Sequence, residues 1–351
     1  MKNIGIRVDG GKSVGMGHLV RCLSLAKELR QNGDNVYFLS KFEDGIKKIE
    51  IEGFKYIKLQ EDNEEKIEGF HYGNKSELIN EVEQLSSIIK EKNISALIVD
   101  SYNVTKECFL DLKKEVDTLI YIDDINKFSY PVDIIINGNI TATDMNYERY
   151  YEKELLLLGA KYTLIRDEFK NLPKKVINKD IKEIMITTGG SDPYGVTLKI
   201  LDSLNLDLKK IKYNVVIGNG FDRELICELE ERYHLNENII FHKNPPSMSE
   251  IMLKSDIAIS SGGSTIYELC ATGTPAITFI YAENQESLVK KMEKEEYIKS
   301  LGWFNEFDKE SLQNTLKQLV GYSDRENISN KIKKLVDCNG ARRTADIISN
   351  L

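Results

Sequence analysis

A histidine set at the start of a helix behind a run of glycines is the feature of this sequence best suited to chemistry. The stretch Asp9-Gly10-Gly11-Lys12-Ser13-Val14-Gly15-Met16-Gly17-His18 follows a short apolar run, Ile4–Val8, and precedes a helix-patterned segment, Leu19–Arg30. Glycines permit a tight turn and close backbone approach. A helix start offers unpaired N–H groups and a partial positive charge. Histidine is the side chain most readily used as a base near neutral pH, so His18 is the candidate base. Asp9, a strand end away, is a candidate to orient its ring, and Gly15 and Gly17 to let backbone approach a ligand.

Two more glycine loops lie in the second half. Ser261-Gly262-Gly263-Ser264-Thr265-Ile266-Tyr267-Glu268 reads as a strand exit, a turn and a helix start. It would turn the N–H groups of Gly263, Ser264 and Thr265 toward phosphate oxygens. Glu268, one turn on, either reaches a ribose diol or closes a capping box with Ser264 or Thr265. Thr188-Gly189-Gly190-Ser191-Asp192 also precedes a helix. Two such loops in one half favour a diphosphate ligand, with Gly190 and Ser261 among the candidate contacts. Gly15-x-Gly17 lacks the third glycine of a dinucleotide fingerprint and is not a P-loop. Asp123-Asp124 either invites a cation or supplies polarity at a strand end. The four histidines, His71, His234 and His242 among them, have no metal-ligand spacing. The five cysteines form no C-x-x-C pair, so neither zinc nor a disulfide framework is expected.

Short β-branched runs must carry these loops. Strands are expected at Ile4–Val8, Val36–Leu39, Tyr56–Leu59, Ala96–Val99, Leu119–Ile122, Ile134–Ile136, Leu155–Gly159 and Tyr162–Ile165. In the second half they are expected at Ile184–Thr187, Tyr213–Ile217, Ile239–Phe241, Ile257–Ile259 and Ala276–Phe279. Helical patterns separate most of them. Leu19, Cys22, Leu23, Ala26 and Leu29 form one apolar stripe, and Ser76 is a plausible cap for a helix to Lys92. The acidic stretch Gln60–Asn74 reads as a surface loop. Asn171–Lys182, with Pro173 and no stripe, fits an interdomain linker. The strand-then-helix rhythm predicts an α/β protein of two Rossmann-like, doubly wound domains, 1–172 and 173–335. The segment 336–351 would be a helix crossing back to the first. Ligands of such sheets lie beyond the strands' carboxyl ends, where Asp9, Asp100, Tyr102, Asp123, Asp124 and Asn137 fall.

At 351 residues, 41% hydrophobic and 30% charged, the chain suits a globular protein of two domains. A net charge of -8 argues against nucleic acid held through a general basic surface. No apolar run approaches the roughly 20 residues that cross a bilayer, and no signal-peptide core follows Lys2. The expectations are a cytoplasmic protein, with no membrane anchor and monomeric.

One set of motifs is shared, in order, with a known family. It comprises Arg7-Val8-Asp9 with Gly15-Met16-Gly17-His18-x-x-Arg21-Cys22-Leu23, then Val99-Asp100-Ser101-Tyr102, Ile122-Asp123-Asp124 and Leu164-Ile165-Arg166-Asp167-Glu168-Phe169. It continues with Thr188-Gly189-Gly190-Ser191-Asp192, Ser261-Gly262-Gly263-Ser264-Thr265-x-Tyr267-Glu268-Leu269 and Glu283-Asn284-Gln285. These resemble the UDP-sugar hydrolases of pseudaminic acid biosynthesis and the related spore coat polysaccharide proteins, within the glycosyltransferase B-type superfamily. The resemblance implies two domains facing across a cleft and release of UDP from UDP-2,4-diacetamido-2,4,6-trideoxy-β-L-altropyranose, or a related UDP-amino sugar. It implies neither metal nor cofactor. Carried over, His18 activates water, while Tyr102 and Asn284 lie near the sugar and reacting carbon. Gly262, Gly263, Ser264 and Glu268 hold the nucleotide, and Arg166 sits at the cleft. A glycosyltransferase using the same nucleotide site, and a non-catalytic nucleotide-sugar binder, remain the alternatives.

Overall fold

The computed structural model describes residues 1–11, 14–60, 75–147, 153–204 and 211–351. The loop expected over 61–74, with His71, lies outside the described residues, as does the side chain of Ser76. The chain divides into two compact units, Met1–Arg166 with Cys338–Leu351, and Asp167–Asp337.

The first unit is built on a seven-stranded sheet in the order β3-β2-β1-β4-β5-β6-β7. Its strands are β1 (Asn3–Val8), β2 (Asn35–Ser40), β3 (Lys55–Lys58), β4 (Ala96–Asp100), β5 (Thr118–Ile122), β6 (Ile134–Asn137) and β7 (Leu155–Leu158). Every pairing is parallel. The central strands are apolar on both faces because helices cover both. These are α1 (Gly17–Gln31), α2 (Glu43–Ile51), α3 (Lys75–Lys92) and α4 (Lys106–Leu112), with the last helix, α12 (Gly340–Ser349), packed against α1. The stripe of α1 is fully covered, Leu19, Cys22, Ala26 and Leu29 all at 0% exposure. Truncating one such leucine costs about 2–5 kcal/mol. Strand order reverses between β1 and β4, so the loops leaving these two strands open the crevice where such sheets bind ligands.

The second unit repeats the plan with six parallel strands in the order β10-β9-β8-β11-β12-β13. They are β8 (Glu183–Thr187), β9 (Lys212–Ile217), β10 (Ile239–Lys243), β11 (Ile257–Ser261), β12 (Ala276–Ile280) and β13 (Lys299–Trp303). Its helices are α5 (Val196–Ser203), α6 (Arg223–Tyr233), α7 (Met248–Lys254), α8 (Thr265–Thr272), α9 (Glu283–Lys294), α10 (Lys309–Lys317) and α11 (Tyr322–Ile332). The order reverses between β8 and β11, the strands that lead into the two glycine loops.

Three expectations change. Tyr162–Ile165 pairs with no strand: the 3-10 turn Ala160–Tyr162 precedes an extended segment, and Tyr162 of the turn and Leu164 of the segment pack on the core. The edge strand β13 was not expected, since its alternation is broken by Gly302 and only Leu301 is buried. The stretch 171–182 is no free linker. The Lys175 ammonium is buried and donates to the carbonyls of Met252, Leu253 and Ser255 at the end of α7. Asn178 Nδ2 donates to Asp256 at 2.8 Å, and buried Arg325 donates to the carbonyls of Asn178 and Lys179. Exposed-looking lysine here is an anchor.

Candidate functional site

In the first unit the loop after β1 closes on itself, Gly11 N–H donating to Gly15 O at 3.1 Å, with Gly15 at φ +75°. It is pressed from outside by α2, where a Cβ on Gly45 would stand 2.6 Å from Gly10 O. A Cβ on Gly17 would meet nothing within 4 Å, so that position is open to a ligand. Met16 caps α1 without a side-chain bond, leaving His18 in an uncapped first turn.

His18 does not meet Asp9. The Asp9 carboxylate is buried against Arg7 Nη1 (2.7 Å), Ser40 Oγ (3.2 Å) and Lys41 N (2.8 Å). The group that orients the ring is Asp100, at the end of neighbouring β4, whose Oδ1 lies 2.5 Å from His18 Nδ1. Asp100 is in turn gripped by Arg21, Nε to Oδ2 and Nη2 to Oδ1, both 2.7 Å. The other edge of the same guanidinium holds both Asp124 oxygens, at 2.9 and 2.8 Å. Asp124 then accepts from the Tyr102 hydroxyl (2.8 Å) and Asn139 Nδ2 (3.0 Å). His18 and Tyr102 meet edge to face with ring centroids 4.8 Å apart. One arginine therefore joins the two candidate side chains through two carboxylates.

Burial would raise the Asp100 pKa, yet Arg21 and His18 more than offset it and hold the group well below the carboxylate range. Ionised Asp100 can only accept, so the bond to it places a proton on Nδ1; in the neutral ring that leaves Nε2 with the lone pair. Burial and Asp124 push the Tyr102 phenol far above its ordinary value; its proton stays on the bond to Asp124. Asp123 turns away from this cluster, accepting from the hydroxyls of Tyr130 and Tyr147 and the backbone of Ile125 and Asn126. Its role is structural. No group of three or more histidine, cysteine or acidic side chains among the described residues could hold a metal ion.

In the second unit Ser261 Oγ donates to Thr188 O at 2.9 Å, so the glycine loops after β8 and β11 lie side by side. They are not equivalent. Asp192 takes the N–H groups of Val196 and Thr197, both at 2.8 Å, and so occupies the α5 N-terminus that was expected to help hold a diphosphate. At α8 the cap residue Ser264 makes no side-chain cap bond. The N–H groups of Gly263, Ser264 and Thr265 meet no acceptor among the described residues. Three adjacent unpaired donors at a helix start form an anion site. The Gly262 N–H is spent on Phe279 O (2.9 Å); this glycine is there for space, since a Cβ would stand 2.5 Å from Val289 Cγ2. Glu268 lies half-buried in the first turn of α8, and Gly190 opens onto unfilled space. Asn284 is exposed in the first turn of α9, beside Gln285, whose Oε1 accepts from Tyr281 N at 3.2 Å. Arg166, half-buried, is the last residue of the first unit before the chain enters the second.

The sequence places Asp100 and Asp124 at strand ends and Arg21 within a shared motif without pairing them, and Asn139 is not among its candidates. The signal for Arg21 was its position three residues after His18, on the same helix face.

Residues 184–347 match the model of the glycosyltransferase family 28 C-terminal domain. The whole chain superposes on MurG of Acinetobacter baumannii with a TM-score of 0.69 over 100% of both chains, at 12% identity. The chain has the glycosyltransferase B fold. Within that fold its sequence is 31% identical to an uncharacterized protein of Methanocaldococcus jannaschii, over 83% of this chain and 59% of that one. The chain thus spans about three fifths of that relative's length. It is 24% identical to the spore coat polysaccharide biosynthesis protein SpsG of Bacillus subtilis, over 99% and 98% of the two chains. It is 26% identical to the UDP-2,4-diacetamido-2,4,6-trideoxy-β-L-altropyranose hydrolase of Campylobacter jejuni, over 83% and 96%.

Proposed function

We propose that this protein hydrolyses a UDP-linked amino sugar, UDP-2,4-diacetamido-2,4,6-trideoxy-β-L-altropyranose or a close relative, releasing UDP for surface-sugar biosynthesis. The open N–H groups of Gly263, Ser264 and Thr265 receive the diphosphate, Glu268 the ribose, and Asn284 the sugar. The Campylobacter jejuni relative's name supports this substrate.

The observation that carries the reading is the hydrogen bonding that holds His18 as a base. His18 Nδ1–H is committed to Asp100 and the Tyr102 O–H to Asp124. With Nδ1–H so held, Nε2 of the neutral ring is the acceptor for a proton of the attacking water. In the reaction the water oxygen bonds to the anomeric carbon while one of its protons passes to His18 Nε2. The anomeric C–O bond breaks and its electron pair leaves with the β-phosphate of UDP, so attack from the opposite face inverts the carbon. The α8 N-terminus stabilises the charge developing on the departing phosphate.

The test incubates the protein with UDP-sugars and no acceptor and follows UDP by phosphorus NMR. Release is expected, with His18→Ala lowering kcat by about 10²–10⁴-fold while UDP affinity stays within twofold. Binding of UDP-sugar without release by the unaltered protein would sink the reading.

A further inference from the structure

Beyond the strands that carry the glycine loops, the second unit's sheet ends in a group of aromatic rings with no task in the chemistry above. Tyr194, in the loop between β8 and α5, is 57% exposed although it is a large apolar ring. It is nonetheless held in place, stacked on Phe304 with centroids 4.3 Å apart and planes at 17°. Tyr281, directly after β12, meets its edge at 6.4 Å. Phe304 is fixed by its N–H to Ile280 O (2.8 Å) and by Lys199 Nζ on its own carbonyl (2.6 Å). Tyr281 and Phe304 pack on the core of the unit. One face of Tyr194 is thus used for packing and the other turned outward.

The group is continuous with the anion site. Gly262 N–H bonds to Phe279, two residues before Tyr281, and Gln285 links the Tyr281 backbone to the underside of the glycine turn, 3.1 Å from where a Gly262 Cβ would stand. Parallel strands lie about 4.8 Å apart, so the ends of β12 and β13, which the two rings follow, lie one and two strand spacings from the end of β11, which the open N–H groups follow. That is the reach of a hexose carried on a diphosphate. Aromatic faces attract C–H and methyl groups and offer no hydrogen bond to a hydroxyl.

We propose that Tyr194, backed by Phe304 and Tyr281, is a sugar-reading platform. It takes the apolar face of a glycosyl group whose hydroxyls are replaced by methyl and acetamido substituents. The proposal rests on the nucleotide-sugar reading and adds to it the feature that selects a deoxy, acylated sugar.

Calorimetric titration with three probes tests it, on three proteins that all carry His18→Ala so that substrate is not turned over: one with Tyr194 unaltered, one with Tyr194→Ala and one with Tyr194→Phe. The probes are UDP, UDP-N-acetylglucosamine and UDP-2,4-diacetamido-2,4,6-trideoxy-altropyranose. UDP is expected to bind all three proteins within twofold. Tyr194→Ala should weaken the diacetamido sugar nucleotide at least tenfold and UDP-N-acetylglucosamine less, while Tyr194→Phe retains unaltered affinities. Equal loss for UDP and both sugar nucleotides, or no loss for any, overturns the platform and leaves the nucleotide site standing. Failure of the protein with Tyr194 unaltered to bind UDP overturns both.

Discussion

At the scale of single residues, the site turns on where protons are parked. Asp100 and Asp124 each accept a hydrogen bond from a candidate catalytic side chain, and Arg21 is paired with both carboxylates. Asp100→Asn halves this arrangement: the amide pairs poorly with Arg21 and no longer favours a proton on His18 Nδ1. We expect kcat for UDP release to fall about 10²–10⁴-fold with KM changed little, the pattern of an interaction needed only in the transition state. Steady-state kinetics check this; a kcat within threefold of the unaltered protein would remove Asp100 from the mechanism. The histidine and the glycine loops stand out in the sequence by residue type and local spacing, and the tyrosine by the family resemblance. The choice of Asp100 over Asp9 does not. Both carboxylates end neighbouring strands, and only the packing of Arg7 and Lys41 beside Asp9 decides which is free to serve.

Among the elements, the two helices after the second unit's glycine loops look alike in sequence and differ in use. Asp192 fills the start of α5, whereas among the described residues no acceptor meets the N–H groups of Gly263, Ser264 and Thr265 at the start of α8. Two alanine substitutions separate space from chemistry in the α8 turn. Gly262→Ala drives a methyl into Val289 of α9 and should cost about 1–3 kcal/mol in denaturant unfolding. Gly263→Ala, whose Cβ would come no closer than 4.0 Å to any neighbour, should unfold like the unaltered protein while binding UDP several-fold more weakly, through crowding of the donors. Equal unfolding midpoints for the two variants would show that α9 does not close on Gly262 as described. Strands buried on both faces were readable as apolar runs. The half-buried edge β13 (Lys299–Trp303) carries no such run, and the apolar Tyr162–Ile165 packs without pairing, so apolar content alone misjudged both.

For the whole molecule, buried ionisation divides the two units. In the first, Glu81 sits against Arg7 and Lys41; burial would raise its pKa, but these cations bring it down to about 2. A carboxylate with a depressed folded pKa adds stability above its unfolded value and loses it as pH falls. Glu81 therefore withdraws about 3 kcal/mol between roughly pH 4.5 and pH 2, and Asp100 acts in the same direction below its own unfolded value. Asp123, raised by burial, works in the opposite sense. The lone tryptophan, Trp303, reports the second unit. On acidification, far-UV circular dichroism should begin to change at a higher pH than Trp303 fluorescence, and Glu81→Gln should narrow that gap. Coincident acid transitions would contradict the assignment.

The anchoring of residues 171–182 sets where this molecule can be cut. By composition the natural seam for a chimera would follow Lys182. A fragment begun there would lose Lys175 from three carbonyls at the end of α7, and Arg325 would lose the acceptors at Asn178 and Lys179. Buried polar groups stripped of partners cost about 1–3 kcal/mol each, comparable to much of a domain's net stability. Recombination of the second unit with a foreign partner would therefore have to carry this strap along, joining at Asp167 rather than at the stretch that reads as a hinge.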